Sequence, residues 1–186
     1  MKFTRQIILA LILFNFMGLF SLFGQQSPKM KTISYRGGIV EFRIPVSWKE
    51  EYSDTDGGAF YEDKPDSGTF RIKVITLKSA PNTNGNSPVQ VLNSLAGSLK
   101  LPQGKSEQLS ENVALFQYEQ SNIDRGQSIK IIYWVIANTI PPSHARIVTF
   151  SYTILANQEQ NSQTKEEVKM LDGEVRTSKF ATTTGN

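Results

Sequence analysis

Residues 127–137 read QSIKIIYWVIA. Side chains alternate across a strand, so Ile129, Ile131, Tyr133 and Val135 line one face and Ile132, Trp134 and Ile136 the other. A strand with one face in water carries a polar residue at every second position, and this one does not. Residues 146–155, RIVTFSYTIL, repeat the pattern. Val148, Phe150, Tyr152 and Ile154 point one way, Ile147 and Leu155 the other. Both segments therefore belong to the middle of a sheet covered on its two faces.

Working outward, further strands are expected over 31–35, 39–44, 58–62, 69–77, 105–109 and 113–121. Gly37-Gly38, DKPDSG, Glu111-Asn112 and DRG punctuate them as turns, and TIPPSH forces a connection before the last strand. Hairpin links make the sheet largely antiparallel. Two helices are predicted. In the first, Ser87 caps, Pro88 takes the first helical position, and Leu92, Leu95 and Leu99 recur at helical spacing. In the second, Thr164 and Glu167 fit a capping box and Val168, Leu171 and Val175 form the stripe. One helix falls before the central hairpin and one after it, so each is assigned to one face. The expected fold class is α+β: a three-layer α/β/α sandwich with a central, largely antiparallel sheet.

Lys2 and Arg5 precede the apolar run Ile7–Phe23, IILALILFNFMGLFSLF, after which the chain turns polar. Residues 1–24 read as a secretory signal peptide. The run is also close to the shortest bilayer span, about 17 residues, so an uncleaved leader is the one membrane contact foreseen. Residues 25–181 form a single domain and 182–186 a frayed tail. The chain has 20 basic and 17 acidic residues; without Lys2 and Arg5 the mature part holds 18 against 17, a net of +1. These charges are mixed along the chain, which excludes the basic stripe a nucleic-acid partner requires. With no cysteine, stability rests on burial alone.

Pro45 ends the strand in FRIPVSW (42–48), and Trp48 follows at the turn. Two roles are open to that indole: a post closing the end of the core, or a surface for stacking a ligand. Acids gather in EEYSDTDGG (50–58) and EDKPDSG (62–68). Asp54, Asp56 and Gly57 begin like a calcium loop, but Gly58, Ala59 and Pro65 occupy positions that need a ligand, a glycine and the closing glutamate. These acids read first as turn formers. The single histidine, His144, stands beside Ser143 in a loop with no nucleophile elbow, and one histidine without cysteine makes no structural zinc site. Phe60 and Tyr61 alternate to opposite faces, which leaves one free for the surface.

VEFRIPVSW (40–48), GGAFYED (57–63), GTFRIKVITL (68–77), the helix PVQVLNSLAGSL (88–99), VTFSYTI (148–154) and the terminal VRTSKF (175–180) occur in an order that resembles the PsbP/Mog-like superfamily, including its DcrB-type bacterial envelope proteins. The resemblance runs from Thr32 to Phe180. It implies a non-catalytic binding or assembly factor and transfers no catalytic residue.

The expectation is thus an exported, non-enzymatic protein-binding or assembly factor of the bacterial envelope, periplasmic or extracellular, with no cofactor and no metal. Its partner is another protein, met through a sheet edge or the loops around Trp48, Tyr52, Asp54, Asp56 and Tyr61. The alternatives are a small-ligand carrier with a cleft between sheet and helix, an immunity or adaptor protein for a secreted toxin, and a hydrolase using Asp54, Asp56 or Glu62.

Overall fold

A computed structural model describes residues 28–78 and 87–184. The leader, most of the polar loop after Lys78 and the last two residues of the expected tail lie outside the described residues.

Five strands come first: β1 (Met30–Tyr35), β2 (Val40–Pro45), β3 (Lys49–Ser53), β4 (Gly57–Tyr61) and β5 (Thr69–Lys78). Helix α1 (Pro88–Leu99) leads to β6 (Lys105–Ser110), β7 (Val113–Asp124), β8 (Gln127–Ile140) and β9 (His144–Leu155). A 3-10 turn (Ala156–Gln158), helix α2 (Ser162–Arg176) and β10 (Lys179–Phe180) close the chain. Seven strands form one antiparallel sheet in the order β3-β4-β5-β9-β8-β7-β6, and β1-β2-β10 form a second. The fold is α+β.

The long strands sit at the centre for the reason their sequence gives. Trp134 pairs with Phe150, and Phe150 with Ile72; Ile136 pairs with Val148, and Val148 with Val74. All six side chains are buried on one face. The opposite face carries Ala114, Phe116, Val135, Ala137 and Ile147, and α1 covers it with Leu92. Arg125 and Gly126 both have positive φ (47° and 81°) between the paired Asp124 and Gln127, the two-residue turn that matches strand twist.

The single central sheet of the sequence reading is corrected here. The β1–β2 hairpin does not join the seven strands. It lies over them as a separate sheet, with Val40, Phe42 and Ile44 facing inward. Phe42 meets Phe60, Phe70 and Phe150 edge-on, at ring distances of 5.4, 6.0 and 5.3 Å. Helix α2 therefore shares its face with this second sheet, adding Leu171 and Val175 to the same core. Its start also differs from the expected capping box. Asn161 is the cap and accepts from Gln163 N at 2.8 Å. Thr164 is buried inside the first turn, and Glu167 accepts the Tyr152 hydroxyl instead.

The Arg146 guanidinium, wholly buried, donates to Ala181 O at 2.9 Å and Thr183 O at 2.6 Å.

Candidate functional site

The segment after β2 turns back on itself: Trp48 N donates to Pro45 O at 3.1 Å. This aims the indole inward. Trp48 is 5% exposed and stacks on Tyr152, with rings 6.4 Å apart and 11° from parallel. That is the geometry of a post closing the core, and the ring offers no surface to a partner. The Trp48 carbonyl does reach the rim, where it accepts from Lys31 Nζ at 2.9 Å.

The next five residues, KEEYS, form β3, a strand absent from the sequence reading. Among the described residues it pairs with β4 alone, and all five of its residues are exposed. Glu50 and Tyr52 lie on the face toward the second sheet; Lys49, Glu51 and Ser53 lie on the other. Tyr52 is 58% exposed and braced from several sides. Its ring stacks on Tyr35 at 6.4 Å and meets Phe60 edge-on at 5.9 Å. Its hydroxyl donates to Glu50 Oε2 at 2.6 Å. Glu50 also pairs with Lys31 at 2.8 Å. The Lys31 hydrogen bond, then that of Tyr52, hold the Glu50 carboxyl below its ordinary range. Burial, with the Glu50 carboxylate beside it, pushes the Tyr52 hydroxyl well above its ordinary value.

Asp54 and Asp56 sit exposed in the β3–β4 turn. Ser53 Oγ accepts from Thr55 N at 3.3 Å and Asp56 N at 3.2 Å, which fixes the turn. Gly57 closes it with φ +89°, and a Cβ there would stand 2.1 Å from Ile72 O. Tyr61, half-buried on β4, donates its hydroxyl to Glu51 Oε1, which raises its pKa. Lys49 pairs with Asp63 at 2.6 Å. The structure thus gathers Tyr52, Asp54, Asp56 and Tyr61 on one hairpin and removes Trp48 from it. Sequence reasoning missed Lys31, Glu50 and Glu51. Glu50 and Glu51 stand in KEEYS, which has no apolar alternation to mark it as a strand, and Lys31 comes from a different strand.

Among the described residues, no three His, Asp or Glu side chains gather to hold a metal ion. A cleft of about 360 Å³ opens between β2 and the end of α2. Thr32, Glu41, Lys179 and the Arg43–Glu174 pair line it, the guanidinium gripping both carboxylate oxygens at 2.7 and 2.9 Å.

No family model matches the chain, and no curated protein matches it. Solved structures do. A protein of Bacteroides thetaiotaomicron VPI-5482 aligns with TM-score 0.57 and 13% identity over 84% of this chain and 50% of its own, so the present chain spans half its length. LpqN, involved in cell envelope biogenesis of Mycobacterium tuberculosis, aligns with TM-score 0.56 and 14% identity over 84% of this chain and 93% of its own. A mutant of the protein Mog1 aligns with TM-score 0.49 and 10% identity over 82% of this chain and 96% of its own. At such identities the likeness is one of fold. The chain shares the fold of the Bacteroides protein and of LpqN.

Proposed function

We propose that the mature chain is an exported, non-enzymatic protein-binding or assembly factor of the bacterial cell envelope. It acts through the β3–β4 hairpin. The observation that carries this reading is the hairpin itself: a fully exposed edge strand with a braced, half-exposed tyrosine and an acidic turn at its tip. Such an aromatic, held in place before contact, loses little freedom on binding. LpqN, a fold neighbour involved in envelope biogenesis, supports the location and the class of role. The leader-like residues 1–24 support export. In this reading the seven-stranded sheet is the middle of a three-layer α/β/α sandwich, with α1 on one face and α2 beside the second sheet on the other.

The test is capture from envelope extract of the source cell by tagged mature chain, run beside a variant with Tyr52, Asp54 and Asp56 all replaced by Ser. A partner held by the first and lost by the second is expected. Identical captures by both would overturn the reading.

The cleft between β2 and α2 supports a second reading, a carrier of a small polar ligand. Native mass spectrometry of freshly purified chain would show the ligand as added mass; its absence there counts against a carrier.

A further inference from the structure

The hairpin has an unpaired side, and its charges restrict what can fill it. This inference rests on the function proposed above and narrows the partner. Among the described residues only β4 pairs with β3, so the outer edge of β3 presents the backbone N–H and C=O groups of alternate residues. That edge accepts a strand by main-chain hydrogen bonding, whatever the side chains of the incoming segment.

The local ion pairs leave a remainder. Lys31 pairs with Glu50, Lys49 with Asp63 and Lys64 with Glu62. Glu51, Asp54 and Asp56 have no ion-pair partner among the described residues. Glu51 lies on one face of the strand, its carboxylate accepting from Tyr61 of β4, and the two aspartates stand in the turn at the tip, so the charge without an ion-pair partner lies beside the open edge and not on it.

A second copy of this chain fits poorly there. The antiparallel register that uses the whole strand turns about Glu51 and sets Glu51 against Glu51. Like charges directly opposite in a ladder are destabilising.

We propose that β3 is the docking edge for a basic, extended segment of another protein. That segment adds to the sheet beyond β3, with cations opposite Glu51 and beside the Asp54–Asp56 turn. Tyr52 flanks the added strand as a preformed aromatic contact.

The experiment uses isotope-labelled mature chain and three capped peptides: alternating Val and Lys, alternating Val and Glu, and the Val/Lys peptide N-methylated at alternate residues. Amide shifts should concentrate in β3 with the first peptide. The other two should bind at least about tenfold more weakly, one because its charge has the wrong sign and one for want of donors. The triple change Glu51→Lys, Asp54→Lys and Asp56→Lys, with its fold checked by thermal melt, should weaken the first peptide by a similar factor. Equal binding of the methylated peptide, equal binding of the Val/Glu peptide, shifts away from β3, or no binding at all would each overturn the proposal. So would a dimer in light scattering that the triple change dissolves. Hairpin-dependent capture from envelope extract would then still stand, leaving the wider function intact without strand addition.

Discussion

Trp48 and Gly57 bracket the hairpin, and each holds it by a different means. Trp48 supplies burial: its ring stacks on Tyr152 and belongs to the main core. Trp48→Ala should lower stability by about 3–5 kcal/mol, read from a denaturant or thermal melt. An unchanged melt would refute its role as a post. Gly57 supplies conformation and space, since both its φ and the nearby Ile72 carbonyl exclude a side chain. Gly57→Ala should destabilise by about 1–3 kcal/mol and broaden the β3–β4 amide signals. That Trp48 follows a strand-ending proline was legible in the sequence. Its inward direction was not, because that depends on the Tyr152 ring more than a hundred positions away.

Strand β3 shows how an element escapes a reading based on hydrophobic periodicity. It buries none of its five residues, so it carries no apolar alternation; pairing with β4 and side-chain contacts to β1 make it a strand. Those contacts are pH-dependent. In the folded chain the Glu50 carboxyl titrates below its ordinary value of 4.5, mainly because Lys31 and then Tyr52 hydrogen-bond its charged form. The stability it adds is therefore complete above that ordinary value and is lost as pH falls through the lowered one. Acid should loosen the β1–β3 contact first, seen as faster amide exchange in β3 below the carboxylate range. Glu50→Gln should flatten that dependence; an unaltered acid profile in the variant would assign the effect elsewhere. Helix α2 makes the same point about local signals. Thr164 and Glu167 have capping-box spacing, yet Asn161 caps, because the sheet claims both: Thr164 is buried and Glu167 binds Tyr152.

At the scale of the molecule, the two sheets and two helices of the described residues are tied by a few polar anchors. Trp134 Nε1 donates to Asp172 Oδ1 at 2.9 Å, and Arg176 joins Asp172 to Glu107 on β6, fixing α2 across the sheet. Arg146 is the anchor of the chain's end. Burial draws its pKa below the ordinary arginine value, and among the described residues no carboxylate pairs with it and Nε has no acceptor. Its charge is met by the carbonyls of Ala181 and Thr183 and by Asn138 Oδ1. A buried cation of this kind contributes position more than stability. Arg146→Met should free residues 181–184, measured as faster amide exchange there, while the global melt moves by no more than about 1 kcal/mol. A large loss of stability would show that the cation supports the core itself.

The sequence by itself determined the order of most strands, both helices, and the two-sided burial of β8 and β9, because these follow from alternation and spacing within single segments. It also placed the acidic turn and its tyrosines. Only the tertiary structure decided that β1 and β2 form a second sheet, that Trp48 turns into the core, and that β3 is an exposed edge. Those outcomes depend on which distant surfaces meet, and a segment's own periodicity records how much of it is buried but not against what.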